Sequence, residues 1–195
     1  MNTAMSTQAW RHLILVRHGA TVPNLAGLRC GGDLDAPLTE LGRQQAQHAA
    51  LRIRELDISV GVIVASHLQR TRETAEIVSR LLDGVEVVIE PAFTERHLGT
   101  LNLQPVATTE RDLDAGVTPT GGESDADFVE RISLAAQAQL LPRLEQRPML
   151  VGSKGVARAL RLLLGLPVGD GLVNGELIQL DMSAFACRET ARCHA

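Results

Sequence analysis

Four short segments carry the side chains that could do chemistry. Arg17-His18-Gly19 directly follows the apolar run 13–16, so an imidazole flanked by a guanidinium emerges where a buried strand would end. Ser66-His67-Leu68-Gln69-Arg70, Thr94-Glu95-Arg96-His97 and Gly152-Ser153-Lys154-Gly155 each follow a further apolar run. Parallel strands gather their carboxyl ends on one rim, where open α/β sheets bind ligands. Cations, histidines and one carboxylate converging there suit a phosphate.

The elements that must position these residues alternate. Runs 13–16, 60–65, 85–89 and 149–151 read as strands buried on both faces, because they lack polar alternation. Helices are expected at 39–56 behind the N-cap Thr39, at 68–82, at 124–144 behind Ser124 with an interruption near Pro142, and at 155–164. Residues 176–182 alternate well enough for a last strand after the Asn174-Gly175 turn. Residues 99–122, with Pro105, Gly116, Pro119 and Gly121-Gly122, read as a turn-rich excursion over the site. Strand-helix repetition implies a mainly parallel sheet covered on both faces.

Composition narrows the function classes. At 195 residues the chain fits one domain, expected over 10–186 between flexible tails at 1–9 and 187–195. A net charge of −4 and only 2% aromatics, with no Tyr, argue against nucleic-acid binding, which needs cations and stacking platforms. No run approaches the length of a membrane helix, so no membrane partner is expected. The three cysteines have neither CxxC nor zinc-finger spacing, which reads as a reduced, cytoplasmic thiol inventory. Cys193-His194 supplies too few ligands for a metal site.

Ordered over almost the whole chain, these segments resemble the histidine phosphatase superfamily of phosphoglycerate mutase-like proteins. Leu15-Val16-Arg17-His18-Gly19-Ala20-Thr21 is similar to its signature, and Asn24 falls where the family places a phosphate-contacting asparagine. Asp35-Ala36-Pro37-Leu38-Thr39-Glu40-Leu41-Gly42 resembles the opening of its first helix, and Ser66 to Ala75 the stretch carrying its second phosphate-binding arginine, here Arg70. Glu95-Arg96-His97-Leu98-Gly99 resembles the acid/base glutamate segment, and Gly121-Gly122-Glu123-Ser124 the glycines before the later helix. The resemblance implies a three-layer α/β/α sandwich, a phosphohistidine on His18, acid/base work by Glu95, and phosphate held by Arg17, Asn24 and Arg70. It implies a small phosphorylated substrate or phosphate as partner, with no metal and no cofactor.

One position departs from the pattern. In Val151-Gly152-Ser153-Lys154-Gly155-Val156-Ala157-Arg158, Ser153 stands where the family carries its second histidine. Ser153 can still donate one hydrogen bond to a phosphoryl group, and Lys154, the chain's single lysine, can supply a cation at a helix N-terminus. Two readings follow: a phosphatase acting on a small phosphorylated metabolite, or a catalytically impaired relative that binds a phosphorylated ligand and regulates. Asn24, Asp33, Asp35 and Glu123 have structural alternatives as turn, cap or ion-pair residues, and His67 and His97 as rim packing. The brief excursion leaves little for an enclosing lid, which favours hydrolysis over a mutase.

Overall fold

Strands β1 (His12–Arg17), β2 (Val62–Ala65), β3 (Val87–Ile89), β4 (Pro148–Gly152) and β5 (Leu177–Asp181) form one sheet in the order β3-β2-β4-β1-β5. The first four are parallel and β5 pairs antiparallel with β1. The computed structural model describes residues 10–169 and 171–185. The expected tails at 1–9 and 187–195, with Cys187 and Cys193-His194, lie outside the described residues.

Period-two alternation sends successive strand residues to opposite layers. Ile14, Val16, Ile63, Met149 and Val151 pack against Ala49, Ala50 and Ile53 of α2 (Glu40–Glu55) and Ala75 and Val78 of α3 (Gln69–Leu81). Leu13, Leu15, Val64 and Leu150 pack against Phe128 and Ile132 of α5 (Asp125–Ala135) and Val156 and Leu160 of α6 (Lys154–Leu164). The result is a three-layer α/β/α sandwich. Each such Val, Leu or Ile buried from water contributes about 1.5–3 kcal/mol.

Helix starts follow local chemistry. Thr39 Oγ1 accepts from Gly42 N at 3.0 Å to cap α2, and Asp35 Oδ1 accepts from Gln69 N at 2.8 Å at the head of α3. A four-residue helix, α1 (Val22–Leu25), is closed by a capping box between Thr21 and Asn24.

Register and topology fix the site. Arg17 pairs with Gly152 and Ala65 with Val151, so the carboxyl ends of β1, β2 and β4 lie level. The chain leaves β1 for the α2 layer and β4 for the α6 layer. Adjacent parallel strands whose connections diverge to opposite faces define the crevice where such sheets bind ligands.

Three expectations change. Strand β3 is not buried on both faces: it is the sheet edge, with Val87 and Val88 half-buried and Ile89 exposed, and an apolar run carries no mark of how many neighbours a strand will have. The helix behind Ser124 leaves α geometry earlier than Pro142, becoming a π turn at Ala136–Leu140 and a 3₁₀ turn at Leu141–Gln146. A proline N lacks the hydrogen an α turn needs, and the wider turn ahead of it absorbs the mismatch. The excursion at 99–122 contains a helix, α4 (Val106–Asp114), whose polar, proline-led sequence hid its period. No described helix is long and apolar enough to cross a membrane.

Candidate active site

The loop after β1 is pressed against the start of α2. A Cβ on Gly19 would overlap the backbone of Gly42, and one on Gly42 would overlap that of Ala20. Gly19 N donates to Thr74 Oγ1 of α3 at 3.1 Å. These contacts fix the turn that carries His18.

His18 is buried, and its main chain is tied on both sides: its N–H donates to Gly152 O of β4 at 2.9 Å, and its carbonyl accepts from Asn174 Nδ2 at 2.9 Å. Its ring Nδ1 lies 2.7 Å from Gly19 O. A carbonyl only accepts, so Nδ1 carries the proton. Burial, then the guanidinium charges of Arg70 and Arg17, hold the imidazole pKa well below its ordinary value of 6.5. The ring is therefore neutral at pH 7, with the lone pair on Nε2.

Both arginines are anchored by carbonyls. Arg70 is fully buried and donates to Leu34 O at 2.8 Å and to Gly31 O at 3.0 Å; Arg17 donates to Leu172 O at 2.5 Å. Burial lowers the Arg17 pKa from its ordinary value, against the pull of Glu95. Arg17 Nε, Arg70 Nε and Ser153 Oγ are buried and make no hydrogen bond within the described protein. A buried unsatisfied donor costs about 1–3 kcal/mol. Of the four such side-chain atoms among the described residues, only His12 Nδ1, at the opposite end of β1, lies away from this rim.

Ser153 occupies the N-cap of α6, yet its hydroxyl does not cap. The reason is Glu95. Its Oε2 accepts from Gly155 N at 3.0 Å, the amide that a serine cap would normally help to satisfy, while Oε1 accepts from Arg96 N at 2.7 Å. The carboxylate fits because residue 155 is glycine: a Cβ there would overlap Oε1.

A cavity of about 390 Å³ opens over this rim, lined by Arg17, Asn24, Glu95, Lys154 and Asn174 among others. His18, Arg70 and Ser153 are buried and are not among its lining residues. Asn24 Oδ1 accepts from Thr21 N at 3.2 Å and Thr21 Oγ1 at 3.0 Å, so its turn-stabilising role is present and its amide NH2 has no partner among the described residues. Lys154 is exposed, and its aliphatic stem runs over Gly171, where a Cβ would overlap Cε. Helix α4 forms the far wall through Val106, Glu110, Leu113 and Asp114. The excursion expected over the site thus does line the cavity, through α4.

Other polar residues take structural places. Asp33 accepts from Leu98 N, Gly99 N and Asn102 Nδ2, and Glu123 takes both ends of the Arg131 guanidinium, at 2.9 and 2.6 Å. His67 and His97 are exposed and outside the cavity wall; His67 Nδ1 lies 3.2 Å from Thr94 Oγ1. Sequence reasoning assigned no function to Gly155, Asn174, Asp125 or Arg158, although Gly155 and Arg158 stand in the segment after β4 that it singled out. Gly155 also carries a signal of its own, a glycine in the first turn of an otherwise strong helix.

The fold and rim define an α/β protein with a cationic, imidazole-bearing pocket at its topological switch point. The chain belongs to the histidine phosphatase superfamily, branch 1, whose family model matches residues 13–184. It is 38% identical over 166 residues to a probable phosphoglycerate mutase GpmB of Escherichia fergusonii, covering 78% of this chain and 74% of that one. The corresponding protein of Photorhabdus laumondii subsp. laumondii is 36% identical over 166 residues, with the same coverage. Among solved structures, a mycobacterial glucosyl-3-phosphoglycerate phosphatase in complex with VO3 superposes with a TM-score of 0.71 at 34% identity, over 87% of this chain and 92% of that one.

Proposed function

We propose that the protein is a phosphatase that hydrolyses a small phosphorylated metabolite through a phosphohistidine on His18. The observation that carries this reading is the neutral imidazole with its proton held on Nδ1 by Gly19, under the charges of the buried Arg70 and the half-buried Arg17. His18 Nε2 attacks phosphorus, the ester P–O bond breaks, and Glu95 as carboxylic acid gives its proton to the leaving alkoxide. Glu95, now a carboxylate, takes a proton from water; the water oxygen attacks phosphorus, the P–N bond breaks, and inorganic phosphate leaves. Arg17, Arg70 and Ser153 supply donors to the equatorial oxygens, and the Asn24 amide and Lys154 bind from the cavity side. The charge on the phosphoryl group is met by arginines, so no step needs a metal or cofactor.

Hydrolysis needs only water to reach the phosphoenzyme, whereas a mutase must hold and turn its product over that intermediate. The names of the relatives make phosphoglycerate and glycosylated phosphoglycerate the first esters to screen. Incubation with 4-nitrophenyl phosphate and with these esters should give phosphate release that His18→Ala abolishes, and an acid-labile phosphoryl group trapped on His18. Interconversion of phosphoglycerate isomers without phosphate release would identify a mutase instead.

Ser153 at the second-histidine position supports a second reading, a phosphate-binding regulatory relative. Tight phosphate binding with neither turnover nor phosphohistidine would establish it. Ser153→His then separates a degraded site, which gains rate, from an adapted one, which loses it.

A further inference from the structure

The two donors that hold Glu95 belong to different parts of the fold. Arg96 N comes from the loop after β3, and Gly155 N from the first turn of α6. Any relative movement of these segments displaces one carboxylate oxygen. Their side chains meet elsewhere, on Asp125, the first residue of α5. Arg158 of α6 donates NH1 to Asp125 Oδ1 at 2.8 Å and NH2 to Oδ2 at 2.9 Å, a two-point ion pair. Arg96 NH1 reaches the same Oδ1 at 3.4 Å.

We propose that Asp125 is a positioning residue for Glu95, clasping the Glu95 loop to α6 through Arg96 and Arg158. The inference rests on Glu95 being the proton donor proposed above. Three features support it beyond the pairing. The Arg96 side chain is 8% exposed and further fixed by Glu123 O at 2.9 Å and Val117 O at 3.4 Å, so the clasp grips a rigid group rather than a surface one. The fork of Arg158 takes both Asp125 oxygens, which sets the orientation of α6 as well as its distance. Arg158 beside Asp125 also holds its carboxyl below the ordinary aspartate range, which keeps the clasp charged at neutral pH. No hydrogen bond joins Asp125 to Glu95 among the described residues, so its action passes through the backbone amides of Arg96 and Gly155.

The test uses kcat/KM for a series of aryl phosphates from 4-nitrophenyl to phenyl phosphate, because this parameter covers the first phosphoryl transfer, where the leaving group needs its proton. A misplaced acid costs most for the poorest leaving group, up to about a hundredfold for a shift of about 1 Å. Asp125→Asn should lose about ten- to a hundredfold on phenyl phosphate and only a fewfold on 4-nitrophenyl phosphate, steepening the leaving-group dependence. Arg158→Lys, which keeps the charge but not the fork, should steepen it less. In a Glu95→Gln background, already steep, Asp125→Asn should add nothing to the slope.

A parallel loss on every ester would overturn the inference and assign Asp125 to substrate binding or to bulk stability. Full additivity with Glu95→Gln would overturn it as well. If the wild-type protein turns over none of the esters, the phosphatase reading falls and this inference with it. If Glu95→Gln leaves the slope unchanged, the role of Glu95 falls first. If Asp125→Asn unfolds, Arg158→Lys and the double variant Arg158→Lys/Glu95→Gln decide by the same slope.

Discussion

Gly155 makes room for Glu95 and at the same time holds it: the residue's N–H donates to Oε2 at 3.0 Å, and a methyl group on its Cα would overlap Oε1. One position thus supplies both a donor and the space for its acceptor. Gly155→Ala should separate activity from stability. Alanine is favoured over glycine in a helix by about 1 kcal/mol, so thermal melting should hold or rise slightly. The carboxylate must move, and kcat/KM for a phosphate monoester should fall about ten- to a hundredfold. A variant as active as the parent would show that the Glu95 position is not set by this contact.

His18 makes stability depend on pH with a definite sign. Its folded pKa lies well below 6.5 because the ring is buried and faces Arg70 and Arg17. Between that value and 6.5 the unfolded chain binds the extra proton and the folded one does not, so stability rises with pH through this window and is flat above it with respect to this group. Unfolding free energy from denaturant titrations should fall as pH drops below about 6.5, and His18→Gln should flatten that slope. The ring resonances of His18 should likewise remain those of neutral imidazole at pH 6. A titration midpoint near 6.5 would contradict the electrostatics of the site.

Ser153 carries a buried hydroxyl with no partner in the described protein. Ser153→Ala removes an unsatisfied group at little packing cost, so stability should stay level or rise by up to about 1 kcal/mol. If the hydroxyl meets a phosphoryl oxygen in the transition state, kcat should drop by about tenfold or more, the direction expected for a lost transition-state donor. Unchanged kcat would leave Arg17 and Arg70 as the groups that answer the phosphoryl charge.

Much of the fold was legible because its signals are local. Apolar runs at 13–16 and 149–151, the N-caps at Thr39 and Ser124, and the chemistry placed just after each strand follow from backbone periodicity and capping alone. The candidate site was legible to the extent that it sits on strand ends. His18 and Glu95 are one and six residues past β1 and β3, where sequence order translates directly into place. What stayed hidden depends on partners distant in sequence. The edge position of β3 is a property of its neighbours. The clasp on Asp125 joins residues 96, 125 and 158, and none of the three announces the others. Helix α4 was obscured because only Thr109 is buried on it, so it has no apolar stripe to read.

That same weakness should let α4 open independently of the sheet. Its attachments are mainly polar: Val106 N donates to Gly27 O at 2.9 Å, Leu28 and Pro105 form an isolated bridge, and Arg29 Nε donates to Thr109 Oγ1 at 2.9 Å. Apolar contact along the cavity comes from Val106 and Leu113, both only half-buried. Segments held this way open at far lower cost than a packed core. Thr109→Val keeps the shape of the side chain but removes the acceptor for Arg29, a loss of about 0.5–1.5 kcal/mol. Hydrogen exchange at residues 106–114 should then speed up by roughly twofold to tenfold while amides of β1 and β4 keep their protection. Acceleration spread evenly over the sheet would mean that α4 opens only with the whole domain, and its part as a separable wall of the site would fall.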